Sequence, residues 1–509
     1  MRQHPHILFV ILDTLRRDRL SVYGHDRPTS PHFDAFAAGA TLFERAVAPA
    51  QWTIPAHASM FTGVYPGRHR VTQSNSRLSD DQPVLAELLR AGGYHTIAFC
   101  NNPLVGVLEN GLQRGFDAFH NYASAVPSRP FDYRKPWLRR EFSRRFRPYA
   151  RRIANQFARS DWLFRVSLQP ALTPIWTRYI NFKGNTANAI SDVIEYWDLH
   201  QQQRDDRPLF AFVNLMGAHL PYHPPQDVLE RLAPDLKNDR QAYAFMNQFN
   251  ADGAAWASPP EPPFEDWQQH TLHAFYDAEI AWQDEQLGRL LDHLRSTGAL
   301  EDIVVVIAAD HGEGHGEHDL FGHGFSVHQE LVHVPLVIRA PQFSTARVVE
   351  NISTRRLFHT LLDLANVQPP DDALRAEISG LSLASGASPE DDLAFSEAFP
   401  VNTFMHVLEH RNPSVIERMR LRMVRRAVYA GDHKLILADS TPQALYHISD
   451  DPFETRDLLT SAPALTADLR RRISVLTGTE DADPEADLGA YNEDDEQVLE
   501  HLRSLGYIE

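Results

Sequence analysis

A chain of 509 residues, 43% hydrophobic and 23% charged, has the composition of a folded globular protein with room for one large domain and a smaller companion, or for three modest ones. Its formal net charge of −18 excludes bulk electrostatic attraction to nucleic acid or to an anionic membrane, although a bound cation can still make an acidic protein attract anions locally. The single cysteine, Cys100, excludes an intrachain disulfide and a cysteine-based zinc site.

The opening MRQHPHILFVILDT holds an apolar run, Ile7 to Leu12, that is too short for a signal-peptide core. No later stretch reaches the ~18 uncharged residues that a spanning helix needs, so the expectation is a soluble, cytoplasmic protein. The run is almost continuously aliphatic, as in a strand buried on both faces of a parallel sheet. DQPVLAELLRAGG (81–93) reads as a helix ending in glycine, and YHTIAFC after it as a strand. PLFAFVNLM (208–216) and DIVVVIAAD (302–310) repeat the buried-strand pattern. Between them FYDAEIAWQDEQLGRLLDHLRSTG (275–298) is a long amphipathic helix, acidic early and arginine-bearing late, as the helix dipole favours. Strands alternating with helices predict a doubly wound α/β fold with a mostly parallel sheet. Such sheets bind ligands beyond the carboxyl ends of their strands, where Asp13, Asn214 and Asp310 all fall.

Residues 367–392, rich in Pro, Ser, Gly and Asp, read as a connector. Beyond them AVYAGDHKLIL and QALYHISDD read as strands and DLRRRISVL as a helix, which predicts a smaller α+β domain. The expected division is a main α/β domain over 1–390, with an insertion at about 130–180, and the smaller domain over 391–509. Within that insertion, residues 134–165 hold eleven Lys/Arg against two acids, interleaved with Trp137, Phe142, Phe146, Tyr149, Phe157, Trp162 and Phe164. The plainer reading is a solvated helical insertion with an aromatic inner face. The alternatives are a lid over an anionic substrate or, less favoured, a helix making peripheral membrane contact.

Chemistry concentrates in AADHGEGHGEHDLFGHG (308–324), where a buried strand ends in Asp310-His311 and a glycine-rich loop follows. A carboxylate and an imidazole at the end of a buried strand need compensation for desolvation, and a divalent metal supplies it. His315 and His318 have the weaker case, since a surface-loop role suffices for either. Asp13 ends the most apolar strand. It reads either as the N-cap of a helix beginning TLRRDRL or, given Asp310 and His311, as a third ligand.

The ordered segments ILDTLRRDRLSVYG, WTIPAHASMFTGVYPGRHRV, NLMGAHLPYHPP, YDAEIAWQDEQLGRLLDHL and AADHGEG through ELVHVPLVIRAP resemble the sulfatase family of the alkaline phosphatase superfamily. GDHKLI, ALYHISDDPFETRDL and the closing LRSLGYIE resemble that family's ending. The resemblance implies a metal-dependent ester hydrolase holding a divalent cation (zinc, manganese, magnesium or calcium) at Asp13, Thr53, Asp310 and His311. It places Thr53 of TIPAH where sulfatases carry the cysteine or serine oxidised to formylglycine. Threonine cannot form that aldehyde but keeps a hydroxyl, and superfamily branches acting on phosphorus use threonine here. An N-cap role for Thr53 before PAHASMF is compatible with this.

His57 stands where the family has an arginine and joins the catalytic candidates. Asn101 and Asn102 stand where many members carry Gly-Lys-x-His and become substrate-binding candidates, and His323 replaces a lysine. His219 and His323 are candidates for a second metal site, or for substrate contact and leaving-group protonation. The implied reaction is hydrolysis or transfer of a small-molecule phosphate ester through a covalent Thr53 intermediate. The rivals are a sulfate-ester hydrolase without formylglycine and a non-catalytic anion-binding relative. No nucleic-acid partner is expected.

Overall fold

The computed structural model describes residues 4–477 apart from 124–125, 135, 176, 178–181, 204–205 and 387–389; the closing LRSLGYIE and the side chains of Phe157 and Phe164 lie outside the described residues. The strands are, in chain order, β1 (Ile7–Leu12), β2 (Thr41–Val47), β3 (His95–Cys100), β4 (Ala118–Asn121), β5 (Leu209–Leu215), β6 (Val304–Ala308), β7 (Gly314–His315) and β8 (Phe321–Gly322), then β9 (His333–Arg339), β10 (Ala346–Ser353), β11 (Leu393–Ala398), β12 (Arg425–Ala430), β13 (His433–Ala438) and β14 (Thr441–His447). Eight form one sheet in the order β10-β2-β9-β6-β1-β5-β3-β4. The stretch from β6 to β4 is parallel, while β9 runs antiparallel to both of its neighbours. This is the doubly wound, mostly parallel sheet expected of the alternating pattern. β1 is wholly buried at its centre, which is why its sequence is aliphatic on both faces.

Register sets what stands at the carboxyl edge. Ile11 of β1 is level with Ala308 of β6, so Asp13 and Asp310, each two residues on, leave the sheet side by side. Ile11 is also level with Asn214 of β5, which in turn is level with Cys100 of β3. One face of the sheet beneath this edge is aromatic: Phe212 packs on Phe9, Phe61 and His57 with ring centroids 5.0–6.1 Å apart. Phe61 and His57 belong to the buried helix Thr53–Thr62, so this packing fixes where that helix begins.

Three local readings change. The helix expected over 275–298 runs Asp266–Ser296, because a reciprocal capping box between Glu265 and Gln268 starts it earlier. The connector holds a helix, Asp372–Leu381, whose N-cap Asp371 accepts from the amides of Ala373 and Leu374 and which buries Ile378; a Pro- and Ser-rich composition hid an ordinary cap-and-stripe signal. The inserted helix Trp137–Arg159 forms as expected, but its aromatic side chains face outward, because its underside is held by polar bonds from Arg147 and Arg151.

The smaller antiparallel sheet, β11-β12-β13-β14, follows in the C-terminal region. An isolated bridge between Ala50 and Glu397 joins it to the main body. Lys434 of β13 and Glu454 form a buried ion pair at 2.6 Å, and His328 Nδ1 and the Gln329 amide also donate to Glu454 Oε2. Removing one partner strands a buried charge. Lys434→Met is expected to lower unfolding stability by about 3 kcal/mol, read from urea denaturation, with much of the loss restored by adding Glu454→Gln.

Candidate metal centre and active site

Asp13 leaves β1 at a sharp bend, the next residue, Thr14, having φ of 55°. Its Oδ2 accepts from Asn102 Nδ2 at 2.6 Å and from Asn214 Nδ2 at 3.3 Å. Asp310 Oδ1 accepts from the amides of His311 and Thr14 at 2.9 and 3.2 Å. The remaining oxygens, Asp13 Oδ1 and Asp310 Oδ2, are buried with no hydrogen-bond partner. His311 donates from Nδ1 to the Gly312 carbonyl at 2.8 Å, which fixes the tautomer and leaves Nε2 a lone pair that meets the Thr53 hydroxyl, 3.3 Å away. The ligand atoms of Asp13, Asp310 and His311 lie within 4.8 Å of one another, and all three residues are fully buried.

Burial pushes the Asp13 carboxyl up to about 6, against its two amide hydrogen bonds. Burial and the neighbouring Asp13 push Asp310 well above the carboxylate range. Burial and the nearby His323 push His311 well below the usual imidazole value. Two crowded carboxylates with orphaned oxygens and a neutral imidazole lone pair are a donor set that a divalent cation satisfies. The residues present fit the group.

Thr53 opens the helix Thr53–Thr62 as its first residue. The N-cap is Trp52, with no side-chain capping bond, so the capping role is not the one Thr53 plays. Its hydroxyl lies 3.3 Å from His311 Nε2 and 3.5 Å from Asn102 Nδ2. Asp13 is likewise no N-cap, because TLRRDRL forms only a 3-10 turn at Arg17–Arg19, with Arg16 before it.

His57 lies behind the centre, fully buried, donating from Nδ1 to the Thr53 carbonyl at 2.9 Å and accepting at Nε2 from Asn214 at 3.3 Å. Desolvation lowers it to about 4. With both ring nitrogens bonded, it ties the start of the helix to the strand beneath it. Asn102 bridges Asp13 and Thr53. Asn101 instead donates to the Thr186 hydroxyl at 3.4 Å, at the wall where the insertion returns.

His219 and His323 face each other across 5.4 Å, and each is 8% exposed, whereas Thr53, Asp13, Asp310 and His311 are at 0%; the pair therefore marks the approach side. His323 packs on His311 at 4.7 Å and pairs through Nδ1 with Glu313 Oε1 at 2.8 Å. Glu313 escaped notice in the sequence, because a carboxylate in a glycine loop shows no partner until the loop folds back through β7 and β8.

Neither His219 nor His323 joins a cluster of three ligands among the described residues. His315 is bonded to Tyr222 instead, at 2.9 Å. His318 joins His328 and Glu454 in a second cluster, but Glu454 Oε1 there already holds the Lys434 ammonium.

The cation-free fold favours protonated Asp13. That contribution is present below about pH 4 and is lost as pH rises through about 6, while cation binding needs the ionised form and strengthens over the same window. Added Mn²⁺ or Zn²⁺ is expected to raise Tm clearly at about pH 7.5 and much less at about pH 5. Asp310→Asn should abolish the gain; a gain persisting in that variant would put the ion elsewhere.

The family described as Sulfatase matches residues 5–367. The chain is similar to the uncharacterized sulfatase YidJ of Escherichia coli (strain K12), 23% identical over 472 residues covering 90% of this chain and 83% of that protein. It is also 25% identical over 395 residues to an ulvan-active sulfatase of Formosa agariphila, covering 76% of this chain and 66% of the relative. Among solved structures, the phosphonate monoester hydrolase of Agrobacterium radiobacter superposes with a TM-score of 0.62 at 23% identity, covering 93% of this chain and 95% of the other. On the match across most of its length, the chain belongs to the sulfatase family, a family of metal-dependent ester hydrolases.

Proposed function

We propose that this enzyme hydrolyses singly charged phosphorus esters, a phosphodiester or phosphonate monoester, with Thr53 as nucleophile. The observation that carries the reading is the Thr53 hydroxyl, which stands at a helix N-terminus within 3.5 Å of His311 and Asn102, at the position where a sulfatase needs an oxidisable cysteine or serine. A helix N-terminus also stabilises the anionic oxygens of a phosphoryl group.

Charge narrows the substrate. Among the described residues, Lys183, whose charge is felt at His219, is already paired with Glu279, and Arg16 with Asp18 and Glu317. A dianionic monoester therefore meets less compensation here than a monoanion does.

Asp13, Asp310 and His311 would hold the cation, with Thr53 beside it, and the bound ion would supply Lewis acidity to offset charge developing on oxygen. Asn102 orients both Asp13 and the Thr53 hydroxyl. Thr53 Oγ, its proton given up to solvent water, bonds to phosphorus as the bond to the leaving oxygen breaks; the threonine-linked phosphodiester or phosphonyl ester so formed is then hydrolysed by water, which releases the Thr53 hydroxyl.

The two histidines divide the proton work. Burial opposes charge on His323, but the Glu313 carboxylate holds it above the usual imidazole value, which suits it to protonate the leaving oxygen. Burial and the facing His323 lower His219 to about 3, and its Nδ1 donates to the Leu220 carbonyl at 2.7 Å. Neutral, with Nε2 able to accept a hydrogen bond, it suits orienting the attacking water.

Sulfate-ester hydrolysis is the second reading, supported by the names of most relatives. Sulfate monoesters share the single charge, but a sulfated threonine lacks the elimination route of an aldehyde hydrate, so turnover should be slow.

A panel of bis(p-nitrophenyl) phosphate, p-nitrophenyl phenylphosphonate, p-nitrophenyl phosphate and p-nitrophenyl sulfate tests this. The first two are expected to lead, Thr53→Ala to abolish turnover while keeping the cation-induced Tm gain, and mass spectrometry of quenched enzyme to find a nitrophenylphosphoryl or phenylphosphonyl group on Thr53. Sulfate turnover matching the diester, or full activity of Thr53→Ala, would overturn the reading. His323→Asn should slow alkyl esters by about 10²–10⁴-fold and nitrophenyl esters far less, since only the former need a proton on departure.

A further inference from the structure

The inserted helix Trp137–Arg159 is amphipathic in the sense opposite to that of a core-facing helix. Ser143, Arg147, Ala150 and Ala154 are half-buried against the body, while Leu138, Phe142, Phe146, Tyr149 and Ile153 are 48–72% exposed. At 3.6 residues per turn those five fall within about 80° of one another around the helix. Phe142 and Phe146 stack at 4.2 Å, so the stripe is continuous, and Trp162 in the next helix, Asp161–Ser167, is exposed as well.

Polar anchors hold this orientation. Arg147 donates to the Pro127 carbonyl and to Asp132, both at 3.0 Å, Arg151 donates to the Val107 carbonyl at 3.2 Å, and Asn155 Oδ1 accepts from the Glu109 amide at 3.1 Å. Rotating the stripe inward would break all of them.

We propose that this face docks on an anionic phospholipid surface. The helix carries eight arginines against one glutamate, on a chain whose net charge is −18, so the cationic charge is concentrated beside the apolar stripe. By helical position Arg145 and Arg152 border the stripe on one side and Arg139 on the other. Arg139, Arg140 and Arg152 have no ion-pair partner among the described residues, whereas Arg144 and Arg145 share Glu141.

An apolar band at acyl depth with guanidinium groups at phosphate level is how an interfacial helix binds. Two copies pairing through the same stripe would instead bring two arginine bands together. The insertion also returns to the site: Phe182 packs on His219 at 5.7 Å, and Thr186 accepts from Asn101. The lipid-facing segment and one wall of the active site are thus parts of one stretch of chain.

The test is co-sedimentation of the full-length protein with vesicles of phosphatidylcholine alone and of equimolar phosphatidylcholine and phosphatidylglycerol, at low and high salt. Binding only to the anionic vesicles, weakened by salt, is expected. Phe142→Ser with Phe146→Ser, and separately Arg139→Glu with Arg152→Glu, should each lower the partition coefficient at least about tenfold, an arginine near such a surface contributing about fivefold. Both should leave turnover of a soluble nitrophenyl ester unchanged, since none of these side chains touches the site.

Equal binding to neutral and anionic vesicles, or none to either, would overturn the proposal. So would a wild-type dimer in sedimentation velocity that the Phe142→Ser, Phe146→Ser variant makes monomeric, which would identify the stripe as a seam between two copies.

Discussion

Two carboxylates buried side by side repel each other and forgo hydration, and the arrangement around Asp13 and Asp310 answers to that constraint. Each has one oxygen satisfied by the protein, Asp13 by Asn102 and Asn214, Asp310 by two backbone amides. Each has its other oxygen buried without a hydrogen-bond partner. Two such carboxylates in one buried cluster are compensated near neutrality only by protons or by a cation. The neutral His311, with its ligand nitrogen within 4.8 Å of both carboxylates' ligand atoms, completes a donor set that suits a cation better than protons.

From that point outward the site is a set of supports with distinct tasks. Asn102 touches both Asp13 and Thr53, so the ligand and the nucleophile proposed for the site share one amide. His57 and Asn214 tie the first turn of the helix Thr53–Thr62 to the strand beneath it. Where the resemblance implies an arginine, His57 is a neutral imidazole, which needs no counter-charge in so apolar a setting. Where it implies a lysine, His323 is biased toward its charged form by Glu313. Two fixed cations thus give way to two imidazoles, one kept neutral by burial and one able to hold a proton.

The insertion between β4 and β5 follows a different logic. Elsewhere the described chain buries most of its large aromatics, and Phe212 and Phe9 pack beneath Phe61 of the helix Thr53–Thr62. In Trp137–Arg159 small and polar residues face the body while aromatic residues face outward. An apolar face held outward by specific hydrogen bonds is costly to leave in water, which makes it a surface awaiting a partner rather than a packing remnant.

By itself the sequence determined the layered α/β fold and the carboxyl-edge location of Asp13, Asn214 and Asp310, because a strand buried on both faces has an aliphatic signature that needs no partner to be recognised. The order of its motifs marked the family, and Thr53 in place of an oxidisable residue marked the departure from it. Tertiary structure alone decided the rest. Parallel register set Asp13 level with Asp310, and the folding back of the glycine loop paired Glu313 with His323. Contacts between segments far apart in sequence left Thr53 and Asp13 without capping roles and turned the aromatic stripe outward. Those outcomes depend on distances between residues separated by up to hundreds of positions, and local pattern carries no record of them; an amphipathic helix shows two faces in its sequence, but only its neighbours decide which one meets the protein.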